Sequence, residues 1–193
     1  TPTNAINGVL SMLLKLIEKY EPSHLVLAQD SKEKTFRHDM YDEYKANRTE
    51  PPEDLIPQFT LINEMTEKMG LQCKQIIGYE ADDIIGSLCT QWKTSFKEVL
   101  IASSDKDLMQ FVGGNVFMLD TMKDIKYDTN RVKDKMGVWP NQIVDFLSIV
   151  GDSSDNVPGM KGIGVKGASQ LLAQYGTLDG CIENKHELKG KRV

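Results

Sequence analysis

Eight carboxylates lie where short apolar runs of this 193-residue chain stop: Asp30, Glu80, Asp82, Asp83, Asp105, Asp107, Asp152 and Asp155. Asp30 closes His24 to Gln29, Glu80 to Asp83 follow Gln75 to Tyr79, and Asp105 closes Val99 to Ser104. In an open parallel sheet the carboxyl ends of the strands share one edge, where ligands bind. Acids gathered there would repel one another, so the pattern predicts a divalent metal bound by hard oxygen ligands. Each group also has a plainer reading. Acids in the first turn of a helix complement its dipole, which accounts for one or two of Glu80, Asp82 and Asp83. Asp105-Lys106-Asp107 alone is common by chance. The GDSSDN loop at 151–156 could simply turn the chain, since Asp and Ser cap helices and build turns.

The elements that must position these acids follow from periodicity. Ile6, Val9, Leu10, Leu13, Leu14, Ile17 and Tyr20 share one helical face, and Pro22 ends that helix. His24 to Asp30 reads as a buried strand. A polar segment covers 31–52. A second helix carries Leu55, Phe59, Ile62, Thr66 and Met69 on one face, with Pro57 in its first turn and Gly70 as its stop. A strand near 72–78, a helix near 80–93 and strands at 99–104 and 116–120 come next. This alternation predicts an α/β fold, a parallel sheet covered by helices with right-handed crossovers.

Beyond residue 130 the pattern becomes helix, glycine-rich hairpin, helix. Ile143, Val144, Phe146, Leu147 and Val150 form one apolar face, and Val165, Ala168, Leu171, Leu172 and Tyr175 form another. Between them, GIGVKG at 162–167 fits GxGxxG but follows a helix and a Pro-Gly turn rather than a strand, which argues against a dinucleotide site. A helix–hairpin–helix fits better. Its glycines would let amides at the start of the second helix approach a nucleic-acid phosphate, with Lys161 and Lys166 adding charge. Such a contact reads backbone rather than sequence.

The polar segment mixes Lys32, Lys34, Arg37, Lys45 and Arg48 with Phe36, Tyr41 and Tyr44. It reads either as a solvated amphipathic helix or as a mobile element guiding single-stranded nucleic acid by charge and stacking. The net charge of −5 argues only superficially against nucleic acid, because without the eight strand-end acids the rest of the chain is at +3. Local charge matters more to a phosphate backbone than the total. Cys73, Cys89 and Cys181 are odd in number and lack CxxC spacing, so buried reduced thiols are expected rather than a disulfide framework or zinc site. No apolar run approaches membrane-spanning length.

Four stretches taken together resemble the bacterial 5′-nuclease family, which includes the 5′→3′ exonuclease domain of DNA polymerase I and stand-alone flap endonucleases. They are TFRHDMYDEYKANR (35–48), GYEADDIIGSL (78–88), SSDKDLMQFV (103–112) and GDSSDNVPGMKGIGVKGASQLL (151–172). The resemblance implies a PIN/5′-nuclease-like core over 1–130, including an arch segment at 31–52, and a helix–hairpin–helix (H3TH) DNA-binding subdomain over 131–193. It implies one metal site drawing on Asp30, Glu80, Asp82 and Asp83, with Asp105 near the boundary, and a second drawing on Asp105, Asp107, Asp152 and Asp155. Two Mg²⁺ or Mn²⁺ ions ~3.5–4 Å apart would hydrolyse a DNA phosphodiester. Lys45 and Arg48 match residues that contact the scissile phosphate, and Arg37 and Tyr41 match the arch around the 5′ strand. Lys161, Gly162, Gly164 and Lys166 match the hairpin that grips duplex DNA and holds a monovalent cation such as K⁺. The implied setting is a monomer in the bacterial cytoplasm, at the nucleoid. It would act on 5′-flap, nicked or frayed DNA, fused to or working beside DNA polymerase I, with no membrane partner.

The chain departs from the family pattern at one point. Family members start with a strand ending in an aspartate, ahead of the helix that comes first here, and this sequence has no such strand. The expectation is a chain cut short at its N-terminus. The other readings are a strand supplied elsewhere or a weakly active relative. Two alternative functions share parts of this pattern. One is a non-catalytic, structure-specific DNA-binding module. The other is a haloacid-dehalogenase-type phosphatase, which would need Thr or Val where Met109 stands and leaves Glu80 to Asp83 unexplained.

Overall fold

The computed structural model describes residues 2–187. They divide into two compact units, residues 2–39 with 48–84, and residues 40–47 with 85–187.

In the first unit, α1 (Asn4–Tyr20) leads to β1 (Val26–Gln29) and the single turn α2 (Phe36–Met40), of which Met40 belongs to the second unit. Helix α3 (Ile56–Lys68) has proline in its first turn and stops at Gly70, whose φ of 75° lets the chain reverse. Strand β2 (Gln72–Gln75) pairs parallel with β1 in the register Val26 to Gln72. The helix α4 (Ala81–Trp92) starts here, and from Ile85 on its residues belong to the second unit. Leu13 and Leu16 are buried on α1, whereas Leu14, expected on the apolar face, is exposed. On α3 the buried positions are Gln58 and Thr66, and Phe59 is exposed. Polar satisfaction explains this exchange. Gln58 accepts from the Ala5 amide at 2.8 Å and donates to Asn4 Oδ1 and the Asp54 carbonyl, so its burial carries no unmet hydrogen bond.

The second unit holds the main hydrophobic core. Strands β3 (Val99–Ala102) and β4 (Val116–Asp120) pair in parallel, and β5 (Ile125–Tyr127) adds antiparallel to β4. Around them lie α5 (Thr129–Met136), α6 (Ile143–Val150), the two-residue strands β6 (Gly151–Asp152) and β7 (Val157–Pro158), α7 (Val165–Tyr175) and α8 (Leu178–Glu183). Met109, Met118, Val132, Val138, Ile143, Ala168 and Leu172 are fully buried in one cluster.

The parallel pairing agrees with expectation, and the described strands form two main sheets, β1–β2 and β3–β4–β5. Strand β5 was not foreseen. Its three residues are too few to display a period. All three cysteines are free, with Cys89 and Cys181 buried and Cys73 exposed. Among the described residues no helix is long and apolar enough to cross a membrane.

Candidate metal centre

The first unit gathers Asp30, Glu80, Asp82 and Asp83. Asp30 follows β1, and its Oδ1 accepts from the Ala81 amide at 2.8 Å, joining the strand end to the first turn of α4. Asp83 Oδ2 accepts from the Glu80 amide at 3.0 Å. Arg37 grips Asp83 with both terminal nitrogens at 2.8 Å and lies 3.7 Å from Glu80 Oε2. Such a two-pronged bond is among the stronger polar contacts available to a carboxylate. Glu80 is buried and Asp82 half-buried. Arg48 belongs to this unit and is exposed.

The second unit gathers Asp105, Asp107, Asp152 and Asp155. Asp105 ends the run after β3 and caps the 3₁₀ turn Lys106–Phe111, its Oδ1 accepting from the Asp107 amide at 2.9 Å. Asp152 Oδ1 accepts from the Ser154 amide at 2.7 Å, which closes the GDSSDN turn. The capping role is therefore present as well, and it leaves the other carboxylate oxygens to other partners. Asp155 Oδ2 accepts from the Tyr44 hydroxyl at 3.0 Å. Tyr44 is buried, so it is not the exposed stacking side chain that a mobile segment would offer; the hydroxyl has a carboxylate to satisfy it, and the Lys45 ammonium lies 4.9 Å from the ring centre.

Lys45 has a φ of 57°, a left-handed conformation that a non-glycine residue adopts only at a cost. Its amide donates to the Asp155 carbonyl at 2.9 Å, and its Nζ stands 4.0 Å from Asp155 Oδ2. Asn47 and Asn156 brace the same junction, Asn47 donating to the Ser153 carbonyl and Asn156 to that of Glu43. The strained lysine is thus locked beside an acid. Tyr41, in the same segment, is exposed.

Lys106 donates to Asp152 Oδ2 at 2.8 Å and lies 4.0 Å from Asp107 Oδ1. Burial works against its charge. The hydrogen bond to Asp152 and the charges of Asp107, Asp152 and Asp105 outweigh that and hold its pKa above the ordinary value. Burial alone would likewise raise the Asp152 carboxyl, but Lys106 and Ser154 hold it below its usual range. Asp107 goes the other way. Burial, then Asp105, with smaller contributions from Asp152 and Asp155, push it up to about 6 against the pull of Lys106. Its Oδ1 is buried without a hydrogen-bond partner.

A buried carboxylate oxygen with no donor, among three further acids, suits a hard divalent cation. The donor set is all oxygen, and Mg²⁺ keeps several waters, so few carboxylates need bind directly. Among the described residues no three His, Cys, Asp or Glu side chains stand together as a ready-made metal cage. Arg37 and Lys106 already engage Asp83 and Asp152. The sequence reading missed both pairings and the Tyr44–Asp155 bond. The only hint was the lysine between two aspartates at 105–107.

The hairpin residues lie at the start of α7. Buried Ile163 anchors the turn, Lys161 and Lys166 are exposed, and Cβ atoms on Gly162 or Gly164 would meet nothing within 4 Å. Gly151 and Gly159 differ, because a Cβ on Gly151 would strike the Gly159 amide and one on Gly159 would strike the Val150 carbonyl. Those two glycines close the β6–β7 pair.

Comparison with known proteins gives a consistent result. Residues 1–137 match the 5′-3′ exonuclease N-terminal resolvase-like domain, and residues 138–193 match the 5′-3′ exonuclease C-terminal SAM fold. The chain is 47% identical to DNA polymerase I of Rhizobium leguminosarum, over 97% of this chain and 19% of that protein. It is 41% identical to a 5′-3′ exonuclease of Aquifex aeolicus, over 95% of this chain and 63% of that protein. The chain thus spans about a fifth of the polymerase relative and under two thirds of the exonuclease. In fold it is similar to T5 5′-exonuclease with bound zinc, at a TM-score of 0.82 and 24% identity, over 96% of this chain and 72% of that one. The Rad2 catalytic core in complex with DNA substrate is more distant, at a TM-score of 0.58 and 17% identity over 99% of this chain and 62% of that one. By its sequence matches along both parts, this chain belongs to the 5′-3′ exonuclease family.

Proposed function

We propose that this protein hydrolyses DNA phosphodiesters at 5′ flaps, nicks or frayed ends with the help of Mg²⁺ or Mn²⁺. The observation that carries this reading is the Asp107 oxygen, buried without a hydrogen bond among Asp105, Asp152 and Asp155. Bound divalent ions would supply an activated water and stabilise the leaving oxygen. Asp105, Asp107, Asp152 and Asp155 would hold one ion, and Asp30, Glu80, Asp82 and Asp83 the other, with Asp105 near the boundary. Lys45, held rigidly beside Asp155, would donate to the scissile phosphate, as would Arg48. Arg37 and Tyr41 would orient the 5′ strand.

Residues 131–193 would form the duplex-gripping part, with 1–130 as the nuclease core. Lys161, Gly162, Gly164 and Lys166 would present charge and backbone amides to a backbone phosphate, and the hairpin carbonyls would take K⁺. The protein would work as a monomer in the bacterial cytoplasm at the nucleoid, beside or fused to DNA polymerase I.

The test is cleavage of a labelled 5′-flap duplex. Cutting is expected with Mg²⁺, none with EDTA, and none with Asp105→Ala. If the protein binds the flap tightly yet cuts nothing with Mg²⁺ or Mn²⁺, the binding-module reading replaces this one. The basic side chains already engaging Asp83 and Asp152 are what favour that second reading.

A further inference from the structure

Phe36 and Tyr79 form a half-open aromatic pair. Their ring centroids are 5.7 Å apart at 55°, and the two residues are 40% and 48% exposed. The pair is built rather than loose. Ser31 donates its amide to the Tyr79 carbonyl and Phe36 donates its own to the Gly78 carbonyl, each at 3.2 Å, while the Gly78 amide reaches Ser31 Oγ at 3.3 Å. Gly78, at φ 81°, makes the turn that brings Tyr79 round. The Arg37 guanidinium covers one side of Phe36 at 4.6 Å from the ring centre.

On both loops the ring is followed directly by a residue of the candidate centre. Phe36 precedes Arg37, and Tyr79 precedes Glu80. Aromatic surface and acid–guanidinium cluster are therefore one residue apart twice over. A nucleotide has the matching layout, a flat apolar base joined through a sugar to a phosphate. Exposed Lys32 and Lys34 on the same loop add the charge that a phosphate chain requires.

Resting on the proposed DNA substrate, we infer that Phe36 and Tyr79 are a stacking platform for one unpaired base of the 5′ strand. A base paired within a duplex has no free face to offer. The platform therefore selects for frayed or flapped ends without reading sequence, as aromatic stacking on single strands does elsewhere. This is a positioning role. It sets which phosphate reaches the acids.

The experiment measures flap binding by anisotropy with Ca²⁺ in place of Mg²⁺, using flaps whose abasic site is moved stepwise along the 5′ arm. One abasic position is expected to weaken wild-type binding about five- to a hundredfold, the range for loss of one stacked base. Tyr79→Ala and Phe36→Ala should weaken the intact flap to a similar degree, and neither should lose more on the abasic flap. Tyr79→Phe, which keeps the ring, should bind like wild type, and 2-aminopurine at the sensitive position should be quenched by wild type and not by Tyr79→Ala. Full additivity of the Ala and abasic losses overturns the platform, as does normal flap binding by both Ala variants, while leaving the proposed function standing. If the wild-type protein binds no flap at all, both readings fall. If an apolar peptide competes with DNA at this surface and the abasic position has no effect, the occupant is a protein segment and the platform is refuted.

Discussion

Replacing Asp107 with Asn should make the metal-free protein more stable and reduce the stabilisation that metal gives it. Asp107 rises from an ordinary 3.8 to about 6, mainly through burial and then Asp105. Both the folded and unfolded carboxyl are ionised near neutral pH, so a rise of about two pH units costs the folded state up to ~3 kcal/mol. The side chain is 28% exposed, and solvent screening reduces this to roughly 1–2 kcal/mol. Asn has the same shape without the charge, and no hydrogen bond to the Asp107 side chain is lost with it. In EDTA the variant should therefore melt about 2–8 °C higher than wild type, given 2–4 °C per kcal/mol for a chain of this size.

The sign of the pH dependence follows from the raised pKa. The stability Asp107 contributes is fully present below its unfolded value of 3.8 and is lost as pH rises through about 6. Wild type in EDTA should gain stability as pH falls from about 7.5 to about 5, closing roughly half the gap to the variant. Saturating Mg²⁺ should raise the wild-type melting temperature, by ~2.7 kcal/mol of stabilisation at a hundredfold excess over the dissociation constant, and raise that of the variant less, because the Asp30, Glu80, Asp82 and Asp83 group is untouched. Thermal unfolding followed by circular dichroism, with EDTA and with Mg²⁺, reads both effects. A variant less stable than wild type in EDTA, or one that keeps the full Mg²⁺ shift, would refute the reasoning.

Two further outcomes follow from the neighbouring contacts. Lys106→Met removes the cation bonded to Asp152 and facing Asp107. Because Lys106 is 40% exposed, its competition is worth roughly 1 kcal/mol, so calorimetry should show Mg²⁺ binding about fivefold tighter; unchanged or weaker binding would contradict it. Tyr44→Phe deletes the buried hydroxyl that donates to Asp155. Loss of a hydrogen bond to a charged acceptor should cost ~1.5–3 kcal/mol in urea unfolding, and an unchanged midpoint would show that the bond does not hold the loop.

The chain alone determined which acids end the strands, where α6 and α7 lie and that a glycine hairpin separates them, because each of these is written in residues close together. The 3.6 period, the run that stops at Asp105 and the Pro-Gly turn are local signals. Only the tertiary structure decided what each acid does. Arg37 meets Asp83 across 46 positions, Lys106 meets Asp152 across 46, and Tyr44 meets Asp155 across 111. No spacing rule reaches so far. The faces of α1 and α3 were misjudged at Leu14 and Phe59 for a related reason: burial follows what packs opposite a helix, and a polar side chain such as Gln58 can be buried once its hydrogen bonds are met. The eight carboxylates were legible in sequence as too much negative charge. That two basic side chains already balance part of it, and leave Asp107 unbalanced, is a property of the fold.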